Sequence, residues 1–489
     1  MSSKNNLFIF GIGGTGTRVV KSLIMLLSAG VKINAEKVVP ILIDPHETSD
    51  EYRKVKMMLE QYEKMFQHSK TTNTSFFSTE ILPLGKLHSE TVNDAEKIDN
   101  SFGLSFSKYA KNTFEEFIGY NKDMSSQDQA LVSMFFSEKD RKSEMAVGFR
   151  GNPSMGSVIL NKLEDSEEFK FFKRVFNTGD KIFLVSSIFG GTGASGFPLL
   201  LKNLQSAGDN IQKAVKGAVS VMPYFKLNEN TDSFIDSNSF ITKTKAALSF
   251  YENQLKGIDE LYYIADSQLA MHNNDEKTQE NAAHLVEMMA AMGIIDFTSL
   301  SKGYDTKVAS TQRDASFHEC SVELDSKELS LYNLDEDTLR TVHKPIIKFL
   351  FLTYVYNNLG RNADSQPWFK ETLGSEYDDA FKKGNGEFEP LVKFLVDYNS
   401  WLRELGVKER KFVPFNVDTD MNEWVVDHGK IVKKSFATKL FNTRLSDDRI
   451  NVILNDEVRN LKTDQKGFEK MLELMDRATD SIYTKYFKI

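Results

Sequence analysis

One pattern occurs twice in this chain and constrains its fold more than any other. An apolar run leads into a glycine-rich turn, and the turn leads into a stretch with helical spacing. The first copy is LFIFGIGGTGTRVVKSLIMLLSAG from Leu7, and the second is KIFLVSSIFGGTGASGFPLLLKNLQ from Lys181. Each apolar run reads as a strand covered on both faces, because it is continuous and does not alternate. Gly11, Gly13 and Gly16 make a G-x-G-x-x-G turn, with Gly14 and Thr15 inside it. Gly190, Gly191, Thr192 and Gly193 make the second turn. Glycine lets the backbone approach an anion closely. The helix start behind each turn offers unpaired N–H groups and a partial positive charge. Neither turn is a Walker A loop, since G-x-x-x-x-G-K-[ST] does not occur and neither turn contains lysine.

Between and beyond the two copies, strands and helices alternate. VVPILID at 38–44 reads as a strand ending at Asp44 and closes an opening βαβ unit. Residues 45–145 are polar, rich in Lys and Glu and helical in pattern, which reads as a helical insertion. RGNPSMG at 150–156 opens another helix. KGAVSVMPYF (216–225) and DELYYIAD (259–266) read as strands. SFITKTKAALSFYENQL (239–255) and ENAAHLVEMMAAMGII (280–295) read as helices, the latter apolar enough to be buried. This alternation predicts a doubly wound parallel α/β sheet with both glycine turns on its C-terminal edge. Beyond residue 300 the pattern weakens. A helix is expected over 334–359, with Pro345 as a kink, and helical segments run to the end. The expected division is a nucleotide-binding domain over 1–300 and a C-terminal α+β or mostly helical domain over 301–489.

Composition removes several classes of function. The chain has 489 residues, 40% hydrophobic and 27% charged, with a formal net charge of −8. That sets up no basic field, so nucleic acid is not an expected direct partner. A single cysteine, Cys320, excludes a disulfide framework and reads as a buried structural thiol. No apolar run reaches the ~20 residues of a membrane span, and LFIF is too short for a signal peptide, so a cytoplasmic protein is expected. His284 reads as a core histidine. Taken alone, Gly11, Gly13 and Gly16 suit a Rossmann oxidoreductase, with Asp44 on the ribose of NAD(P). That reading leaves the second turn without a task. Two facing glycine turns suit a compact polyphosphate gripped from both sides, with hydroxyls from Thr192 and Ser195.

In this order the motifs resemble the tubulin/FtsZ superfamily. GIGGTGTRVV resembles its first phosphate loop, and FGGTGASGFP its signature loop, GGGTG followed by a small residue. RGNPSMG resembles the third loop of FtsZ, GAVSVMPYF the next strand and its Pro-Phe loop, and MGIIDF the catalytic loop presented to a neighbouring subunit. The resemblance covers residues 6–300 with gaps, and the picture closest to it is a divergent bacterial tubulin-like protein. It implies a GTPase-type domain with a Rossmann-like parallel sheet and a long central helix. It implies GTP or GDP with Mg²⁺, with Gly13, Gly14 and Thr15 on the α/β-phosphates and Gly190–Gly193 on their other side. Gly151 and Asn152 would sense the γ-phosphate, Asp44 would reach the metal, and Asp266 and Asn281 would read the base. Asp296 would act on the next subunit's nucleotide in a head-to-tail filament or oligomer. A dedicated protein partner also fits the 45–145 insertion. Where FtsZ has N-x-D-F-x-D, this chain has Ile294, Asp296, Phe297 and Ser299. A nucleotide-gated scaffold that does not hydrolyse therefore stands as the alternative.

Overall fold

Six consecutive buried residues, Leu7–Ile12, form strand β1 in the computed structural model. The structure describes residues 5–47, 49–87, 98, 102–104, 112–121, 123–145, 149, 152–227, 240–266, 270–272, 282–300, 303–322, 328–407, 410–413, 445–462 and 467–487. Helix α1 (Gly13–Ser28) starts directly at the glycine turn. It is followed by β2 (Lys37–Ile43), α2 (Asp50–Ser69) and the short β3 (Glu80–Ile81). After three short helices within 114–141 come α3 (Pro153–Leu160) and α4 (Glu167–Val175). Next are β4 (Lys181–Ser187), α5 (Gly191–Gln205), β5 (Lys216–Val221) and α6 (Phe240–Gln254). Strand β6 (Glu260–Asp266), α7 (Leu285–Ser299) and β7 (Ser316–Val322) complete the sheet-bearing part.

The seven strands lie in the order β3-β2-β1-β4-β5-β6-β7. The ladders from β2 through β1, β4, β5 and β6 to β7 are all parallel. The chain therefore winds outward from β1 in one direction and from β4 in the other. The topological switch point lies between those two strands, where open α/β sheets bind ligands. Gly11 of β1 pairs with Leu42 on one side and Val185 on the other, so the turns after β1 and β4 emerge side by side. The doubly wound parallel sheet is thus as the strand pattern predicts.

Both faces of the sheet are covered. Phe8 and Phe10, two residues apart on one face of β1, meet Phe172 of α4 edge-on at 5.1 and 5.2 Å. On another face Phe183 of β4 meets Phe297 of α7 at 5.2 Å. Gly217 makes that contact possible, since a Cβ there would lie 2.6 Å from the Phe183 ring and 2.7 Å from that of Phe297.

Three local expectations change. Helix α7 continues through Ser299, so Asp296 lies in its last turn and not in a loop after it. His284 is buried, as a core histidine is expected to be, but it is the N-cap of α7 rather than a residue within the helix, with Nδ1 accepting the Val286 N–H at 3.1 Å. Cys320 is half-buried on the sheet-edge strand β7.

The chain divides into two compact units. The first holds residues 1–23, 34–59 and 81–325 and contains the sheet; the second holds 24–33, 60–80 and 326–489. The second unit is built on α8 (Glu336–Tyr354), α9 (Glu389–Leu405), α10 (Asp447–Glu457) and α11 (Phe468–Tyr486). Pro345 sits inside α8, which runs on into a π-helical turn at Val355–Leu359. Phe77, Phe349 and Phe394 cluster edge-on in its core. The buried Lys348 ammonium is paired with Asp476 at 2.9 Å and Asp480 at 3.4 Å. No helix among the described residues is long and apolar enough to cross a membrane.

Candidate functional site

The two glycine turns touch. Gly13 has φ +71, in the left-handed region that favours glycine, and a Cβ on it would lie 3.2 Å from Thr192 Cβ and 3.5 Å from the Gly193 nitrogen. Each turn is also tight within itself. A Cβ on Gly16 would lie 2.6 Å from the Gly11 carbonyl carbon, and one on Gly193 would lie 2.6 Å from the Ser187 carbonyl oxygen. The first turns of α1 and α5 contain no acidic residue, and the Gly190 N-cap of α5 makes no side-chain cap. Elsewhere Ser125, Asn152, Ser166, Asp335 and Ser446 fill that role. Two helix N-termini thus meet at the switch point with their N–H groups uncapped by side chains, which is a setting for an anion.

Helix α3 closes a third side. Gly156 packs against Ser195 and Gly191, and a Cβ there would collide with the Ser195 hydroxyl. Asn152 caps α3, its Oδ1 accepting from the Ser154 and Met155 N–H groups at 3.0 and 3.3 Å. Among the described residues its amide NH₂ has no acceptor. The Ser195 hydroxyl donates to the Gly191 carbonyl at 2.6 Å, so it is spent on its own helix and is no ligand donor, contrary to expectation. Gly151 and Asn281 lie outside the described residues.

The other sequence candidates fall along the same edge. Asp44 follows β2, the neighbour of β1, and Asp266 ends β6, two strands beyond β4. From β2 to β6 is four strand spacings of about 4.8 Å, room for one nucleotide laid along the edge. Asp44 is 9% exposed and its Oδ1 accepts the His46 N–H at 3.0 Å. Burial pushes its carboxyl above the usual carboxylate range; the His46 contacts and the Arg18 charge oppose this. A hard cation beside it would favour the ionised form. Among the described residues no group of three or more His, Cys, Asp or Glu could hold a metal. A Mg²⁺ here would draw most of its oxygens from phosphate and water, which is how Mg²⁺ is usually held.

A buried network beneath the first turn was not foreseen from sequence. Arg18, one turn into α1, pairs through Nε with Glu287 Oε1 at 2.5 Å. Its Nη2 donates to the Tyr224 hydroxyl at 2.8 Å and to Thr15 Oγ1 at 3.3 Å. Tyr224 in turn donates to Glu287 Oε1 at 2.6 Å. Burial alone would lower the guanidinium's pKa, but Tyr224 and Glu287 more than offset it and the net shift is upward. The network ties the first glycine turn to the N-terminus of α7.

Asp296 lies elsewhere. It is exposed, and its Oδ2 accepts the hydroxyl of Tyr262, near the start of β6, at 2.7 Å. Two residues on, Thr298 is bonded to Asn34, which precedes β2. Both contacts belong to the N-terminal edge of the sheet, opposite the glycine turns. The structure therefore gathers Gly11–Gly16, Asp44, Asn152, Gly190–Gly193 and Asp266 at one edge and leaves Asp296 at the other. Ser299 is bonded back to the Ile295 carbonyl at 3.2 Å.

No family model matches this chain, and no curated protein matches it. Among solved structures it is similar to CetZ from Methanosaeta thermophila strain DSM 6194, with 14% identity and a TM-score of 0.29 over 62% of this chain and 57% of that one. It is also similar to CetZ2 from Haloferax volcanii in a GTPgS-bound protofilament, with 11% identity and a TM-score of 0.28 over 60% and 56%. The chain thus spans less than three-fifths of the length of either protein. Likeness this distant assigns no role to a residue.

Proposed function

We propose that this chain is a tubulin-like nucleotide-binding protein. It takes GTP with Mg²⁺ at the switch-point edge and assembles head to tail with copies of itself. The observation that carries this reading is the contact of Gly13 with Thr192 and Gly193, which brings two glycine turns and two helix starts onto one small volume. Polyphosphate is the ligand whose charge and size suit that volume. In this reading Gly13, Gly14 and Thr15 hold the α/β-phosphates and Gly190, Gly191, Thr192 and Gly193 face them. Gly151 and the Asn152 amide meet the γ-phosphate, and Asp44 reaches the metal. Asp266 accepts from the guanine edge, with Asn281 beside it. Asp296 acts on the nucleotide of the next subunit, because its own lies at the far edge. The catalysis would be positioning and charge stabilisation of phosphoryl transfer to water.

One observation favours a second reading, a scaffold gated by nucleotide without hydrolysis. At the position of the family's second acid the chain has Ser299, and its hydroxyl is bonded into α7. Asp296 is then the only acid of the two.

Denaturing the purified protein and identifying the released nucleotide tests both readings, together with thermal-shift titrations of GTP, ATP and NAD. GTP at a hundred times its dissociation constant should stabilise the fold by about 2.7 kcal/mol. Stabilisation by ATP alone would overturn Asp266 as a guanine reader. Stabilisation by NAD alone would overturn the function and return the first turn to dinucleotide chemistry.

A further inference from the structure

The N-terminal edge of the sheet, around Asp296, carries an acid–base cluster to which nothing above gives a task. Glu260 opens β6 and is fully buried. Its Oε2 meets His318 Nε2 at 2.5 Å, and its Oε1 accepts the Tyr304 hydroxyl. His318 pairs with Tyr262 across the β6–β7 ladder, and the two rings stack at 4.4 Å and 14°. The hydroxyl of the same Tyr262 bonds Asp296. His318 and Asp296 are thus separated by one tyrosine ring, on the face of the sheet that α7 covers.

Satisfying a buried carboxylate explains why Glu260 has two partners. It does not explain why the His318 side chain is left 32% exposed beside an exposed acid. With Glu260 as the carboxylate, the ring proton sits on Nε2 and the lone pair on Nδ1. No partner for Nδ1 is found among the described residues. A buried carboxylate that fixes the tautomer of a partly open imidazole is the arrangement of a general base with its orienting group.

We propose that His318 is the general base for hydrolysis of the neighbouring subunit's GTP and that Glu260 is its positioning residue. The inference rests on the head-to-tail reading above. The oxygen of the attacking water, oriented by Asp296, forms a bond to the γ-phosphorus. The bond from that phosphorus to the β–γ bridging oxygen breaks, and GDP leaves with the electron pair. The water proton passes to His318 Nδ1 and then to solvent, and inorganic phosphate departs. The groups facing this imidazole are Glu260 and Tyr262 on β6, Asp296 through Tyr262, and Tyr304 through Glu260. Arg313 lies 6.0 Å from the Tyr304 ring and is itself bound to Asp259.

The test is phosphate release by the full chain under assembling conditions, measured across pH 5 to 8, where an imidazole changes charge. GTP binding and sedimentation are measured on the same samples. The wild type should show an acid limb, with turnover rising as pH increases. His318→Gln should bind GTP and sediment like the wild type, yet turn over about 100-fold more slowly and without that limb. Glu260→Gln should keep the imidazole but slow turnover and move the limb. Added imidazole should restore part of the activity of His318→Ala, which a purely structural histidine would not permit. Turnover within about twofold of wild type in His318→Gln, or an unchanged acid limb, would overturn the proposal. Failure of the wild type to bind GTP would sink the proposed function first, at the binding step. Binding without phosphate release would leave the scaffold reading standing and overturn this one.

Discussion

Asp44 and Arg18 are both buried charges, yet they stand in opposite energetic positions. Among the described residues Asp44 has one backbone N–H donor, from His46, and its carboxyl is pushed upward by burial. Its folded pKa lies above the unfolded one, so the folded chain holds the proton more tightly. Stability therefore falls as pH rises from the unfolded value of about 3.9 through the raised one. Asp44→Asn keeps an acceptor for the His46 N–H and removes that cost. It should stabilise the nucleotide-free protein at pH 7 by about 0.5–2 kcal/mol, with a flatter dependence on pH. The same variant should lose the extra stabilisation that Mg²⁺ adds to GTP. A less stable variant, or one that keeps the Mg²⁺ increment, would remove Asp44 from the metal. Arg18 is instead paired directly with a carboxylate, that of Glu287. Glu287→Gln would leave its guanidinium buried without a counter-charge and should cost about 3–5 kcal/mol in denaturant titrations. A loss within surface-substitution noise would mean that the pair is not buried in solution.

The two glycine turns make a prediction that belongs to elements, since it concerns how closely α1 and α5 approach. Gly13→Ala adds both backbone strain at φ +71 and a Cβ 3.2 Å from Thr192. Gly119 has nearly the same φ, +72, with nothing within 4 Å of a Cβ. Gly119→Ala should therefore cost about 1 kcal/mol of stability and leave GTP binding intact. Gly13→Ala should pay that strain and also weaken GTP binding at least about tenfold, since it wedges the turns apart. Equal GTP affinities for the two variants, by titration, would argue against the paired turns as the phosphate site. These turns were legible in sequence because everything they need is local: an apolar run, glycines, a helical pattern. The Arg18–Tyr224–Glu287 network was not legible, because its members lie 206 and 269 residues from Arg18 and each is an ordinary residue where it stands. Strand β7 escaped for another reason. SFHECSV lies at the sheet edge, its exposed positions need no apolar residue, and the buried-strand signature is missing. Asp296 was expected in a loop, but the apolar run that marks α7 continues through Phe297 and the helix continues with it.

At the scale of the whole molecule, the two edges of the sheet stand a helix length apart, and any hydrolysis has to bridge them. Helix α7 has 15 residues and its first turn is bound to the network under the glycine turns. It ends beside Tyr262 and Asn34 at the other edge, so about 22 Å of helix lies between. A subunit acting alone cannot bring Asp296 to its own phosphates. If Asp296 takes part in hydrolysis, turnover per subunit must rise with protein concentration and follow light scattering. A stronger form of the prediction uses two inactive variants. Asp296→Asn keeps the nucleotide edge and lacks the acid, whereas Gly13→Ala keeps the acid and, at GTP held between the two dissociation constants, is largely without nucleotide. Each alone should be nearly inert. In an equal mixture, a productive contact needs the first variant's nucleotide facing the second variant's acid. With random head-to-tail order that is one junction in four, so the mixture should recover about a quarter of the wild-type rate. No recovery, with both variants co-sedimenting, would place hydrolysis within one subunit or abolish it from the reading. Recovery on mixing would require that two different copies of the chain build each active site.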